Sequence, residues 1–439
     1  MSSVITRFPP SPTGLLHIGG VRTALFNYLF AKHYNGTMYL RFEDTDKERS
    51  KKEYEQDILD ALHWLGIPYQ MPEVSRQSER LPVYKQHFAG LIERGLAYEA
   101  EEAENNPDKK VVRFKNPNIT ITFTDLVRGE VTFDTTDLGD FVIARSIDEP
   151  LYHLAVVIDD HDMGITHVIR GEEHISNTPR QILILEALGF VRPQYAHIPL
   201  ILAPDKSKLS KRHGAVSANE YRTQGFIPEA VINYLALLGW NPGGDRELYT
   251  LEELANIFSL ERVHKNGAVF DIEKLKWFNH EYIKRLSDEE FLERLRTFAG
   301  EQTLPVYTPQ IVALLKERVE TLKEATDALL VGEFSFLEDT ITHDPTLLLK
   351  GAKVDAPIAK QHLEKALELL EALSPANFTA EGTKEAIFPY ATEQGRSGVL
   401  WPMRVALSGK EKSPDPFTLC ALLGKEKTLA RIAQASAVL

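Results

Sequence analysis

Two segments of this chain carry residue types that suit phosphate chemistry. The first is Ser11-Pro12-Thr13-Gly14-Leu15-Leu16-His17-Ile18-Gly19-Gly20. Its imidazole can donate a hydrogen bond to a phosphate oxygen, and its paired glycines remove side chains where a base or a phosphate must approach the backbone. The second is Asp205-Lys206-Ser207-Lys208-Leu209-Ser210-Lys211-Arg212, with four cations between Lys206 and Arg212. Such a run suits a polyphosphate clamp, although a solvated basic loop has the same composition. The first segment, taken alone, also reads as a Pro/Gly turn with a surface histidine. A third group, Asp159-Asp160-His161-Asp162 with His167 and His174, looks superficially like a metal site and is expected to be a polar loop without one.

These groups need elements to hold them. Val4 to Phe8 reads as a strand that the prolines at 9, 10 and 12 stop, because they lack N–H donors. Val21, Ala24, Leu25, Tyr28 and Leu29 recur at helical spacing, and Met38 to Phe42 alternates as a second strand. Strand, helix and strand make a βαβ unit, hence a parallel sheet whose ligands sit at the strands' carboxyl ends. The His17 segment then faces the anion-attracting end of the first helix. Residues 53–65 and 79–94 read as helices. Between about 99 and 149, Val111–Phe114, Ile119–Phe123 and Val131–Phe133 are short β-type runs, read as a small insertion with its own sheet. Leu154 to Ile158 reads as a buried strand. Thr178-Pro179 reads as an N-cap and first helical residue of a helix closed by Gly189. After about residue 215 the chain is expected to be mostly helical. Its stripes are Val231, Tyr234, Leu235 and Leu238; Leu315, Val319 and Leu322; and Leu363, Ala366, Leu367 and Leu370. Ser408 to Pro416 is a polar connection.

Composition bounds the rest. The 439 residues predict about three domains. A formal charge of −13 argues against a protein that grips nucleic acid over its whole surface, while leaving room for a local basic track. The single cysteine, Cys420, excludes an intrachain disulfide and a four-cysteine zinc site. No stretch approaches the ~18 apolar residues of a membrane span. The first residues lack a signal-peptide pattern, so a cytoplasmic location is expected.

In combination the two phosphate segments are more specific than either alone. His17-Ile18-Gly19-Gly20 after a first strand, and Lys208-Leu209-Ser210-Lys211-Arg212 after a resumed sheet, resemble the two ATP motifs of class I aminoacyl-tRNA synthetases. Nearly the full length is similar, in collinear order, to the bacterial-type glutamyl-tRNA synthetases. The similarity runs through Arg7 to Gly14, Arg41 to Asp46, Arg76 to Arg80 and Asp159 to Glu173. The resemblance implies an α/β fold: a Rossmann-type parallel-sheet catalytic domain with an α+β insertion, then an all-helical C-terminal half. Its expected domains are a catalytic domain at 1–86 and 150–204, an acceptor-end insertion at 87–149, a stem-contact domain at 205–300 and a helical anticodon-binding region at 301–439.

The resemblance also implies roles. His17, Lys208 and Lys211 would act on the reacting phosphates. His17, Gly19, Gly20, Glu173, the Ile201-Leu202 backbone, Lys208, Ser210 and Lys211 would hold ATP, with magnesium arriving on the nucleotide. Arg7, Pro9, Ser11, Glu43, Tyr152 and Arg170 would hold glutamate; two guanidiniums suit that ligand, since each can grip a carboxylate with paired hydrogen bonds. Arg318 matches a position where the family often has an arginine near the last anticodon base, which leans the reading toward tRNA(Glu) alone. The implied activity is formation of glutamyl-adenylate and its transfer to tRNA(Glu) by a protein expected to be a monomer.

One departure stands out. Between Ala100 and Val111 there is a short polar link where many bacterial relatives carry a longer stretch, sometimes with zinc-binding cysteines, so zinc is not expected. From Gln394 to Leu439, seven Lys or Arg face three Asp or Glu, a bias that suits RNA and equally a solvated helical face. Several alternatives fit less well. A glutaminyl-tRNA synthetase has a β-barrel anticodon region. A short relative that glutamylates a tRNA base lacks the helical half. A non-catalytic tRNA-binding paralogue has no need of His17, Lys208 and Lys211. A dinucleotide-binding dehydrogenase needs a G-x-G-x-x-G after the first strand, and Gly424-Lys425-Glu426 lacks the Ser or Thr of a P-loop.

Overall fold

A computed structural model describes residues 3–73, 75–101, 110–146, 149–209, 217–304, 309–332, 334–337 and 341–439. They fall into two compact units, Met1–Leu286 with Glu320–Lys323, and Ser287–Val319 with Glu324–Leu439.

The first unit is organised around parallel strands. β1 (Ile5–Phe8) leads through the proline turn into α1 (Ile18–His33) and β2 (Thr37–Leu40). β1 and β2 pair in parallel from Ile5 opposite Thr37 to Phe8 opposite Leu40. α2 (Lys52–Leu65) ends at Gly66, whose φ of 65° is the left-handed conformation that glycine adopts without cost. α3 (Leu81–Glu93) follows. The segment expected to be an insertion supplies β3 (Ala97–Glu101), β4 (Lys110–Phe114), β5 (Thr120–Asp125), β6 (Gly129–Asp134), β7 (Phe141–Ser146) and β8 (Glu149–Pro150). Only half of it forms a separate sheet, in the order β3-β4-β7-β8. The β5–β6 hairpin instead joins the sheet of β9 (His167–Gly171) and β10 (Gln194–Ile198), in the order β6-β5-β10-β9. Tyr195 of β10 stands parallel to Asp125 of β5.

Two further readings change. Leu154 to Ile158 is not a strand but the middle of α4 (Tyr152–Asp162), and Asp159 to Asp162 are its last turn rather than a loop. The five apolar residues are all buried, and a helix covered on every side has the same unbroken apolar run as a buried strand. The helix α5 (Thr178–Leu188) has Asn177, not Thr178, as its cap, and continues a 3₁₀ stretch over Glu172–Asn177. Gly189, at φ 76°, closes it as expected.

The parallel strands β1 and β9 are joined edge to edge by the residue that precedes β9. Thr166 N donates to Ile5 O at 2.9 Å, and Ile5 N donates to Thr166 Oγ1 at 2.9 Å. The carboxyl ends Phe8, Gly171 and Ile198 therefore open on one side. The unit finishes with β11 (Ile201–Leu202), α6 (Ala218–Thr223), α7 (Pro228–Leu237), α8 (Leu251–Ile257), β12 (Ala268–Val269) and α9 (Ile272–Arg285). Val231, Tyr234, Leu235 and Leu238 are all buried.

The second unit is helical: α10 (Asp288–Ala299), α11 (Pro309–Arg318), α12 (Leu322–Leu330, whose first two residues belong to the first unit), α13 (Pro345–Lys350), α14 (Ala356–Glu371), α15 (Ala380–Gln394), α16 (Arg396–Ser408) and α17 (Pro416–Ala437). Ser287 and Glu290 form a capping box on α10, and Asp355 caps α14, contacts worth about 1 kcal/mol each. Leu315, Val319 and Leu322 are buried but are not the stripe of one helix: Leu315 lies in α11, Val319 follows it and Leu322 opens α12. Leu363, Ala366 and Leu370 form the inner face of α14. Gly424, at φ 74°, interrupts α17, and the Lys425 ammonium beside it donates to Glu371 O and Leu373 O at the end of α14. Among the described residues no helix is long and apolar enough to cross a membrane.

Candidate active site

A cleft of about 1090 Å³ opens where the parallel strands end. His17, Gly19, Gly20, Glu173, Ile201 and Lys208 line it, as do Arg7, Pro9, Ser11, Glu43, Tyr152 and Arg170. Leu202 does not reach the lining; it follows Ile201 in β11, where it pairs with Val269. Ser210 and Lys211 lie outside the described residues, as does most of the short link after Ala100. Arg318 closes α11 in the second unit and takes no part in this cleft.

The side expected from sequence to take the nucleotide is built on the start of α1. His17 is its cap: Nδ1 accepts the N–H of Gly20 at 3.2 Å, which leaves Nε2 to carry the proton of the neutral ring. Burial, with the Lys208 ammonium nearby, pushes the imidazole below its usual pKa and keeps it neutral. A Cβ on Gly19 would stand 3.0 Å from both Cε1 and Nδ1 of that ring. Gly19 thus clears space for the imidazole, a reason the spacing did not reveal. Leu16 N donates to Asp57 Oδ2 at 2.7 Å, and Ala218 N donates to Leu16 O at 2.8 Å. His17 bridges Ser217 directly.

The basic segment reaches the same place. Leu209 N donates to Ile201 O, and Ala203 N donates to Ser207 O, so residues 201–209 form a tight hairpin. Lys208 and Leu209 enter the cleft wall before the undescribed stretch, and Ser217 stands in the wall after it. Lys208 has no salt-bridge partner among the described residues.

The opposite side holds buried charge. Arg7 is 1% exposed; its Nε donates to both oxygens of Asp160, and its Nη1 is buried with no partner. Its partner is Asp160 and not Glu43. Glu43 instead accepts from Arg41 Nη2 at 3.0 Å, and Arg41 also meets Asp160 at 2.9 Å. Burial opposes the Asp160 charge, but Arg7 and Arg41 more than offset it and hold its pKa below the ordinary carboxylate value. Asp44 accepts from Ser78 N at 2.8 Å. Asp159 accepts from Gln77, Arg80 and Tyr84. The acidic turn of α4 is thus a hub for arginines. Among the described residues no group of three or more His, Cys, Asp or Glu is arranged to hold a metal ion.

Arg170 differs from its neighbours. It is 5% exposed and has no carboxylate partner among the described residues. Nε donates to His197 Nε2 at 3.2 Å, Nη1 to Gln181 Oε1 at 2.8 Å and Nη2 to Thr178 Oγ1 at 2.8 Å. Thr178, read from sequence as a cap, serves this guanidinium instead. Three of its five N–H groups are satisfied by neutral acceptors, leaving two and the full charge for the cleft. Tyr152, whose phenol burial pushes its pKa up, feels Arg170, Glu43 and Arg7 together. Arg41, Asp160, Gln181 and His197 were not singled out from sequence as parts of the site; a lone polar residue inside an apolar run, such as His197 between Ala196 and Ile198, was the available signal.

A buried cationic pocket beside a histidine-capped helix and a lysine hairpin suits an amino acid carboxylate next to a polyphosphate. Comparison with known proteins agrees. Residues 3–106 and 99–277 match the class I tRNA synthetase (E and Q) catalytic domain, and 273–436 match an anticodon binding domain. The chain is 42% identical to a glutamate–tRNA ligase of Desulforamulus reducens, covering 98% of this chain and 99% of that one. It is also 42% identical to the Aquifex aeolicus glutamate–tRNA ligase, covering 98% of both. A glutamate tRNA ligase of Elizabethkingia meningosepticum, solved in complex with its amino acid, superposes with a TM-score of 0.84 at 33% identity over 100% of both chains. On this footing the chain belongs to the glutamate–tRNA ligase family of class I aminoacyl-tRNA synthetases.

Proposed function

We propose that this cleft joins L-glutamate to ATP and passes the product to the 3′-terminal adenosine of tRNA(Glu). The glutamate α-carboxylate attacks the α-phosphorus in line, pyrophosphate leaves, and glutamyl-adenylate forms. A ribose hydroxyl of the tRNA then attacks the activated carbonyl, releasing AMP. Both nucleophiles belong to substrates, so the protein contributes position and charge. Arg7 and Arg170 grip glutamate carboxylate oxygens. Glu43, Ser11, Pro9 and Tyr152 enclose the amino acid. His17 Nε2–H, Lys208 and Lys211 face the phosphates, and Gly19, Gly20, Glu173, Ser210 and the Ile201-Leu202 strand hold the nucleotide. Magnesium enters with ATP, and no zinc is assigned. The protein acts as a monomer, and Arg318 reads the tRNA anticodon.

The observation that carries this reading is Arg170: a buried guanidinium held only by neutral side chains, with two N–H groups left for an anionic ligand. The test is aminoacylation with labelled glutamate on purified tRNA(Glu) and tRNA(Gln) separately. Charging of tRNA(Glu) alone is the expected result. Charging of both marks a non-discriminating ligase and overturns the reading of Arg318. Charging of neither, with no tRNA-dependent pyrophosphate exchange, overturns the proposal.

A further inference from the structure

Arg170 owes its orientation to two residues that do not touch the cleft. His197, at the end of β10, and Asp125, at the end of β5, are both 0–1% exposed. Asp125 Oδ2 accepts from His197 Nδ1 at 2.6 Å and from His197 N at 3.0 Å. Asp125 Oδ1 accepts from Val127 N at 3.0 Å and Arg128 N at 2.9 Å. With Nδ1 donating, His197 Nε2 carries the lone pair, and it lies 3.2 Å from Arg170 Nε and 3.1 Å from Thr178 Oγ1. An arginine N–H can only donate, so the contact with Arg170 requires this tautomer. The wrong tautomer would place two N–H groups face to face.

Resting on the reading that Arg170 binds glutamate, we infer that Asp125 and His197 are positioning residues for the amino acid substrate: the carboxylate sets the histidine tautomer, and the histidine aims the Arg170 guanidinium into the cleft. The wire runs from the hairpin β5–β6 to the glutamate side and bypasses the nucleotide side, so its loss acts on one substrate and not the other. Nothing covalent is involved; only hydrogen-bond donors and acceptors are exchanged.

Asp125→Asn tests this with almost no change in shape. The two backbone N–H groups of Val127 and Arg128 need an acceptor, so the amide oxygen takes the Oδ1 place. The amide NH₂ then takes the Oδ2 place and donates to His197 Nδ1, forcing the proton to Nε2, while the His197 backbone N–H turns to the oxygen in the Oδ1 place, from which it already lies 3.3 Å. In the full-length enzyme, KM for glutamate should rise about tenfold or more, as for a lost hydrogen bond to a charged group, with KM for ATP within about twofold. Imidazole ¹⁵N NMR should show His197 as the Nδ1–H tautomer in the wild type and Nε2–H in the variant. A second pair guards against folding loss. His197→Gln can place an amide oxygen near the Nε2 position and should recover most glutamate affinity, whereas the shorter His197→Asn cannot. An unmoved glutamate KM in D125N, an equal rise in both KM values, an unchanged tautomer, or H197N matching H197Q would each overturn the inference. Arg170→Ala separates the two levels: if it leaves glutamate KM unchanged, the reading of Arg170 fails along with its wiring, whereas a crippled R170A beside a normal D125N removes only the positioning role.

Discussion

Arg170 and Arg431 are both buried arginines, one in each unit, and they are used in opposite ways. In the helical unit, Arg431 donates to the carbonyl oxygens of Phe336 and Leu407. It ties α17 to neighbouring backbone, and its charge is spent on closing gaps between helices. In the catalytic unit, Arg170 is held by neutral side chains around two N–H groups left over, and Arg7 keeps a buried Nη1 without a partner. A buried guanidinium with unmet donors is costly, because desolvation is incompletely repaid. The catalytic unit tolerates that cost in the wall of the cleft, where Arg7 and Arg170 both stand; Arg431 faces backbone carbonyls and no such wall. Burial alone therefore does not distinguish these two arginines, whereas their surroundings do: Arg170 borders the cleft and Arg431 meets backbone carbonyls.

The comparison can be broken most sharply at Arg170. Arg170→Ala should lower kcat/KM for glutamate by about 2–5 kcal/mol of stabilisation, as for truncation of one partner of a buried charge contact, with thermal stability little changed. A pyrophosphate-exchange titration in glutamate checks this. Lys211→Ala should raise the activation barrier by about 2–4 kcal/mol with little effect on glutamate affinity, by analogy with losing one preorganised donor. Near-normal single-turnover activation in that variant would defeat the assignment of the basic segment. In the helical unit, Leu363→Ala should cost about 2–4 kcal/mol of stability through a cavity under α14, measurable by chemical denaturation. Glutamate and ATP Michaelis constants should stay at wild-type values at permissive temperature; a shift in them would erase the contrast between the units.

Smaller effects sharpen the catalytic side. Gly19→Ala should raise KM for ATP about tenfold, because its Cβ would press on the His17 ring, while glutamate affinity stays constant. The pH dependence of stability has a defined sign. His153 and His174 are pushed down to about 4, first by burial and then by nearby positive charge, so the unfolded chain binds more protons than the folded one between about 4 and the ordinary imidazole pKa of 6.5. Stability contributed by these groups is complete above that window and is lost as the pH falls through it. Differential scanning calorimetry from pH 7.5 to 4.5 should show a falling transition in the wild type and a shallower fall in His153→Gln.

Local pattern made some of this legible and hid the rest. His17-Ile18-Gly19-Gly20 and Lys208-Leu209 were readable because a turn between strand and helix and a dense run of cations are written in adjacent residues. α2 and α14 were readable because one buried face recurs at about 3.6 residues; α1 is buried on nearly every side and was readable from its length and the proline turn before it. Leu154–Ile158 was misread because burial on every side erases periodicity, leaving strand and helix indistinguishable. Thr178 was misread as a cap because the competing use of its hydroxyl, by Arg170, comes from another strand. The β5–β6 hairpin was placed in a separate sheet because nothing in its alternation names the strand it will pair with.

Sequence by itself determined which residue types were on hand and where α1 and the main helices run, and through the family resemblance it named the residues to expect around a phosphate and a carboxylate. Tertiary structure alone decided which partner each buried charge received: Asp160 rather than Glu43 for Arg7, and His197, Gln181 and Thr178 for Arg170. The physical reason is that hydrogen bonds act over about 3 Å in space, whereas the chain separates Arg7 from Asp160 by 153 residues and His197 from Asp125 by 72.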